Sequence, residues 1–141
     1  MLIVDFGRKH GACQDGVDRA LALGHTAMAQ VWADSQMNAN DRIWTATRPG
    51  VLTNKELRLF AVWAVRQVQH LMTDPRSIAA LDVAERYANG EATDAELDAA
   101  GDAAGDAARD AARDAAGDAQ AQYLLENTKP DWGRNARKRT D

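Results

Sequence analysis

The sequence predicts an all-α protein, a compact bundle of about six helices that ends in a long helix rich in alanine and aspartate. Three observations support this prediction. Apolar residues recur at helical spacing in several segments, capping sequences precede three of these segments, and no two segments alternate in the manner of paired strands. Alanine, which has the highest helix propensity, occurs 29 times among the 141 residues. We expect residues 1–126 to form one helical domain and residues 127–141 a short basic tail.

The overall composition is that of a globular protein without a membrane span. Hydrophobic residues make up 45% and charged residues 27% of the chain, and no stretch approaches the roughly 18 consecutive apolar residues of a transmembrane helix. The first residues, with an acid at Asp5, lack the pattern of a signal peptide. Cys13 is the single cysteine, so an intramolecular disulfide and a multi-cysteine metal site are excluded. These features predict a cytoplasmic protein.

In the N-terminal third of the chain, the sequence pattern predicts three short helices after a first segment without helical structure. Residues 1–6 are expected to form a short extended segment or a frayed end. Residues 14–23 and 26–37 have the pattern of two helices separated by a glycine. Asn40 is expected to cap a further short helix, which ends in the turn at residues 48–50.

In the middle of the chain, capping sequences and the apolar pattern predict two helices with clear boundaries. The sequence TNKE, which begins at Thr53, has the form of a capping box. The apolar residues of 57–72 cover most of the helix circumference, which is typical of a central, largely buried helix. Asp74 and Pro75 suit the N-cap and the first position of the next helix, which we expect to end at Gly90.

The most unusual segment is the long helix predicted over residues 94–126. A second capping box begins at Thr93, and aspartate then recurs at every fourth residue. Because an α-helix has about 3.6 residues per turn, each aspartate is displaced by about 40° from the previous one, and the row winds around the helix. The aspartate row consists of Asp98, Asp102, Asp106, Asp110, Asp114 and Asp118.

Two interpretations of the aspartate row stay open. The carboxylates can keep an alanine-rich helix in water, or they can bind a partner protein with a basic surface. Arg109 and Arg113 lie within one helical turn of aspartates, which favours local salt bridges. The spacing does not fit the EF-hand, which excludes a calcium site of that type. We therefore expect neither a metal ion nor any other cofactor.

Charge is distributed unevenly along the chain. The net charge is -4, and residues 127–141 carry +3, which leaves -7 on residues 1–126. Within the tail, Trp132 lies beside basic residues, where it can stack on a nucleic-acid base, anchor a partner protein or fold back onto the helices. The candidate contact residues of the tail are Trp132, Arg134, Arg137, Lys138 and Arg139.

Residues that could support catalysis are few and isolated. His70 comes near the expected end of the central helix, where the helix dipole stabilises a cation, and this favours a structural role. Cys13 would need a base and an electropositive site to act as a nucleophile, and a small buried residue is the simpler interpretation. No zinc, nucleotide-binding or hydrolase motif is present. The sequence therefore predicts a protein that is not an enzyme.

Several short motifs occur in an order that is similar to a known family. They are Gly11-Ala12-Cys13 with Gly16, Val31-Trp32, Asp41-Arg42-Ile43-Trp44, Arg58-Leu59-Phe60-Ala61, His70-Leu71, Ala84-Glu85-Arg86 and Gly90-Glu91-Ala92-Thr93. With the alanine-rich helix that follows, residues 10–126 resemble the Imm-5-like family of bacterial immunity proteins, which also occur in phage genomes. The resemblance implies an all-α fold and a role in immunity, which was assigned to the family from genomic context. The chain departs from the family at residues 62–65, where relatives often carry cysteines, so no cysteine-based function is carried over.

We therefore expect a small protein that binds another protein and neutralises it. The resemblance implies that the target is a toxin or, if the gene belongs to a phage, a host defence complex such as a CRISPR effector. An acidic body would accelerate association with a basic target. The alternative is a nucleic-acid-binding or regulatory helical module that uses the basic tail. A homodimer is compatible with either function.

Overall fold

The structure is a computed structural model that describes residues 1–101 and 117–133. By internal packing the chain divides into two compact units. Unit 1 comprises Met1–Thr53 and the described residues from Ala121 onward, and unit 2 comprises the described residues of Asn54–Gln120.

The predicted all-α class is confirmed. Throughout the described ranges the regular backbone is helical, and the single β feature there is an isolated antiparallel bridge between Leu2 and Ala27. The helices are α1 (Ile3–His10), α2 (Gln14–Ala22), α3 (Met28–Ala33), α4 (Ala39–Ala46), α5 (Asn54–Val68), α6 (Pro75–Ala88), α7 (described over 94–101) and α8 (Gly117–Asn127), with a 3₁₀ turn, Gln69–Leu71, after α5.

The expectation of an extended or frayed start at residues 1–6 is wrong, because the chain enters α1 at Ile3. Ile3 and Phe6 lie one helical turn apart, and both side chains are buried. The last turn is basic, which complements the negative end of the helix dipole, and Gly11 ends the helix with a φ of 68°. Packing of these two apolar residues therefore stabilises a helix of eight residues at the start of the chain.

The helix predicted over 26–37 is shorter in the structure, and the next helix begins before Asn40. α3 stops before Asp34, whose carboxylate accepts a hydrogen bond of 2.8 Å from the backbone N–H of Gln36 and so stabilises a turn. Asn38 caps α4 in place of Asn40, since its side-chain oxygen accepts a hydrogen bond of 2.9 Å from the Asn40 N–H.

The core of unit 1 is formed by residues of α1, α2 and α3 together with Met37 and Val51, and Trp44 of α4 packs against it. Phe6 and Met28 are its largest fully buried side chains, and burial of a side chain of this size contributes about 1.5–3 kcal/mol. The core cluster consists of Ile3, Phe6, Ala20, Met28, Val31, Met37 and Val51.

In unit 2, α5 packs against α6, and the buried residues of this contact are Val65 and Leu81. The predicted boundaries of α6 are confirmed. The Asp74 carboxylate accepts a hydrogen bond from the backbone at the N-terminus, and Pro75 occupies the first turn. Gly90, with a φ of 78°, follows the last residues of the helix.

The capping box predicted at Thr93 is also confirmed. The Thr93 hydroxyl accepts a hydrogen bond of 3.2 Å from the Glu96 N–H, and the Thr93 N–H donates one of 2.7 Å to the Glu96 carboxylate. Helical backbone follows over 94–101 and again over Gly117–Asn127. The centre of the predicted long helix, residues 102–116, lies outside the described residues.

Candidate functional site

Unit 2 carries most of the negative charge of the chain. Residues 54–120 contain thirteen Asp or Glu against seven Lys or Arg, whereas residues 1–53 contain five of each. The exposed carboxylates that the structure describes in unit 2 are those of Asp82, Glu85, Glu91, Asp94, Glu96, Asp98 and Asp118.

The described cations of unit 2 neutralise only part of this charge. Arg66 forms ion pairs with Asp82 and Glu85 at 2.6 and 2.9 Å, and the hydrogen bond to Asp82 raises the pKa of the Arg66 guanidinium. By contrast, no described basic side chain pairs with Asp98 or Asp118. The exposed carboxylates of Asp98 and Asp118 are therefore not among the ion pairs that the structure describes in unit 2.

The structure places two members of the predicted aspartate row. Asp98 lies on α7 and Asp118 on the first turn of α8, and both side chains are exposed. The other four, Asp102, Asp106, Asp110 and Asp114, lie outside the described residues.

Tyr87 and Asp94 form a contact that was not predicted from the sequence. The Tyr87 hydroxyl donates a hydrogen bond of 2.7 Å to the Asp94 carboxylate, which raises the pKa of the phenol. The Arg58 guanidinium lies over the Tyr87 ring, 4.8 Å from its centroid. These contacts fix the position of Asp94 at the start of α7.

Trp132 packs against the core of unit 1. Its ring centroid lies 5.8 Å from that of Phe6 and 6.0 Å from that of Trp32, and both pairs are edge-on. The preceding residue, Asp131, donates its backbone N–H to the Val51 carbonyl at 2.8 Å. Of the three roles left open for Trp132, folding back onto the helices is the one that these contacts show.

The remaining candidate residues of the tail, Arg134, Arg137, Lys138 and Arg139, lie outside the described residues. The described chain reaches Gly133, whose φ of 100° is in the region that favours glycine.

Of the two residues considered for catalysis, His70 belongs to unit 2 and Cys13 to unit 1. His70 lies exposed in the 3₁₀ turn of unit 2. His10, in unit 1, stacks on Phe6 with ring centroids 4.5 Å apart, and its pKa is lowered by partial burial and then by the charges of Lys9 and Arg48. The expectation that Cys13 is buried is wrong: its thiol is exposed, at the N-cap of α2.

Unit 1 contains a cavity of about 400 Å³ among α1, α2, α3 and α4. Its lining is mainly apolar, and its polar groups include Thr45, Asn40 and Asp41 of α4. The Asp41 carboxylate also forms an ion pair of 2.8 Å with Arg19. The exposed Cys13 lies at the rim.

This cavity was not predicted from the sequence, because four helices contribute to it. The sequence signal that existed was a run of small residues between α1 and α2. Gly7 and Gly16 both belong to the lining, and a side chain at either position would contact a neighbour: an added Cβ would lie 3.1 Å from Val17 at Gly7 and 3.3 Å from Cys13 at Gly16. Gly7 therefore sets the spacing between α1 and α2 beside the cavity.

Among the described residues no group of three or more His, Cys, Asp or Glu side chains is arranged to hold a metal ion. Within the same ranges no helix is both long and apolar enough to cross a membrane. Comparison of the chain with protein-family models, with curated proteins and with solved structures finds no match.

Proposed function

We propose that this protein acts without catalysis, by binding a second protein that has a basic surface and neutralising it. The observation that supports this proposal is the concentration of acidic charge in residues 54–120, part of which has no described cationic partner. The resemblance to the Imm-5-like family suggests the class of target, a toxin or a host defence complex, with an assembled CRISPR effector as one example.

A concentration of acidic charge such as that in residues 54–120 affects the rate at which a protein associates with its partner. A surface of one sign attracts a partner of the opposite sign before contact, which raises the association rate and makes it sensitive to ionic strength.

A binding experiment with matched charge variants tests the proposal. The full chain is immobilised and used to capture proteins from a lysate of the native host, and each captured protein is purified and titrated against the chain. We expect the activity of the target to fall in proportion to added chain and to reach its minimum at one equivalent. We also expect the association rate to fall by about tenfold or more between low and physiological salt.

Two triple variants distinguish an effect of the aspartate row from an effect of the net charge of the chain. The variant D98N/D106N/D114N removes three carboxylates of the aspartate row, and the control D5N/D15N/D18N removes three exposed carboxylates of unit 1. Both change the net charge by the same amount. We expect only the first to slow association several-fold, and equal rates for the two variants would contradict the proposal.

The alternative function, nucleic-acid binding through the basic tail, predicts a different result. A chain that ends after Gly133 keeps Trp132 and loses Arg134, Arg137, Lys138 and Arg139. If the tail binds nucleic acid, the full chain retains nucleic acid with a steep salt dependence and the shortened chain does not. If the protein-binding proposal is correct, both chains neutralise the target equally.

A further inference from the structure

The cavity of unit 1 has the size and the lining of a small-molecule site. Its volume of about 400 Å³ lies within the range of about 300–1,000 Å³ that is typical of such sites. Phe6, Met28 and Val31 belong to its walls, and each side chain is at most 3% exposed. The cavity is therefore a mainly apolar space set into the core of unit 1.

Water is a poor occupant of the apolar part of this space. Water against the apolar walls finds few hydrogen-bond partners, and its displacement by an apolar molecule is favourable. Met28 and Met37 contribute flexible, polarisable side chains to the walls. Such side chains adapt to the shape of an apolar guest.

The entrance does not resemble a protein-binding hot spot. Of the lining residues, Gly11, Cys13 and Asn40 are exposed, and Gly16 and Asp41 are partly exposed. Hot spots are formed by aromatic and large apolar side chains at the centre of a broad contact area. Small and polar residues around the opening fit a free small molecule better than a protein surface.

The polar groups indicate which end of the ligand faces the entrance. The Asp41 carboxylate is an acceptor, and because Arg19 already pairs with it, a second full positive charge is not required there. An uncharged N–H or O–H donor suits this position, since it can hydrogen-bond without adding an uncompensated charge.

We propose that this cavity binds a small, uncharged, mainly apolar molecule with one hydrogen-bond donor, which faces Asp41 while the apolar part contacts the apolar residues of the lining. This inference is independent of the neutralising function and of the residues of unit 2.

The test uses N-phenyl-1-naphthylamine, an uncharged aromatic amine whose fluorescence rises in apolar surroundings. Titration of the full chain is expected to show saturation at one equivalent. Because Cys13 is the single thiol of the chain and lies at the rim, its reaction with Ellman's reagent reports occupancy. We expect saturating probe to slow this reaction at least five-fold in the folded chain and to leave it unchanged in urea.

Paired variants locate the site. Ala12 belongs to the lining, whereas Ala22 is exposed at the end of α2 and does not. Ala12→Leu is expected to weaken probe binding at least ten-fold, and Ala22→Leu to leave it unchanged. Alkylation of Cys13 with N-benzylmaleimide, carried out on the folded chain, fills the entrance without a mutation and is expected to abolish binding.

Three results would overturn the proposal. They are fluorescence that rises without saturation, probe binding that neither Ala12→Leu nor alkylation of Cys13 weakens, and equal losses in Ala12→Leu and Ala22→Leu. Circular dichroism of each sample establishes that the helices are retained. If Ala12→Leu does not fold, the alkylated chain alone decides the outcome.

Discussion

Trp132 lies edge-on to Trp32, with the two ring centroids 6.0 Å apart and the ring planes at 60°. The two residues are separated by the greater part of the chain, and the contact brings the end of the described chain onto the core of unit 1. Thr128, four residues before Trp132, is buried. A deletion intended to remove only the basic residues therefore has to begin after Gly133, because a cut after Glu126 also removes Trp132 and Thr128.

Trp132→Ala is expected to lower the free energy of unfolding by about 2 kcal/mol. Removal of a fully buried tryptophan costs about 3–5 kcal/mol, and Trp132 is only partly buried. Urea unfolding followed by far-ultraviolet circular dichroism measures the change. Trp132→Phe, which keeps an aromatic ring against Phe6, should retain most of the stability. An unfolding midpoint of Trp132→Ala equal to that of the original chain would show that the contact contributes nothing.

Arg42→Ala is expected to destabilise unit 1 by about 2 kcal/mol, since hydrogen bonds from charged groups contribute about 1.5–3 kcal/mol. Arg42 is 6% exposed, and its Nε and Nη2 donate hydrogen bonds of 3.2 and 2.9 Å to the Trp32 carbonyl. Arg48 is the matched control. It donates to the Trp44 carbonyl at 2.9 Å from a more exposed position. Arg48→Ala should therefore cost less, and the reverse order in chemical denaturation would contradict this interpretation.

The pair of His25 and Asp34 predicts a dependence of stability on pH. The His25 Nε2 lies 2.7 Å from the Asp34 carboxylate. The pKa of Asp34 is lowered first by the hydrogen bond from the Gln36 N–H and then by the one from His25. A carboxyl group whose pKa is lower in the folded state stabilises the protein above its unfolded pKa, about 3.9, and this stabilisation is lost as the pH falls through the folded value.

We therefore expect Asp34→Asn to be less stable than the original chain at pH 7, with a difference that shrinks as the pH falls from about 5 towards 2. Unfolding midpoints in urea across this range provide the measurement. Asp15→Asn, at an exposed position on α2, corrects for the loss of one surface carboxylate. A stability difference for Asp34→Asn that grows on acidification would have the wrong sign.

Thr93→Ala is expected to weaken the start of α7 by about 1 kcal/mol, the usual effect of removing an N-cap side chain. The Thr93 hydroxyl accepts the Glu96 N–H, so loss of the hydroxyl leaves this donor without its protein partner. Hydrogen exchange at the Glu96 amide is the direct measurement, and exchange should accelerate about five-fold. Thr93→Ser keeps the acceptor and should exchange as slowly as the original chain. Equal exchange rates for the alanine and serine variants would exclude a capping role.

The sequence was sufficient to predict those helix boundaries that depend on interactions between neighbouring residues. The boundary at Asp74, the glycine stop at Gly90 and the capping box at Thr93 each involve groups within four residues of one another, so the pattern carries the whole interaction. The sequence was insufficient where partners are distant. α1 is stabilised by packing of Ile3 and Phe6 against residues of other helices, such as Ala20 and Met28, and the sequence does not show which distant residues these are.

The same distinction applies to the candidate sites. The acidic character of residues 54–120 follows from composition alone, because it is a count of charged residues along the chain. The cavity of unit 1 does not follow from composition, because its shape depends on side chains from four helices. Cys13 was expected to be buried because it is small and apolar, but its position at the N-cap of α2 places the thiol at the surface.

The four tryptophans are divided three to one between the units: Trp32, Trp44 and Trp132 belong to unit 1, and Trp63 belongs to unit 2. At the 6.0 Å separation of Trp32 and Trp132, excitation passes between the indoles before emission, so their fluorescence is depolarised. The emission of Trp63 can be isolated by replacing the other three with phenylalanine. Emission anisotropy of the original chain then reports on both units and includes the Trp32–Trp132 contact of unit 1, while the single-tryptophan chain follows unit 2 alone.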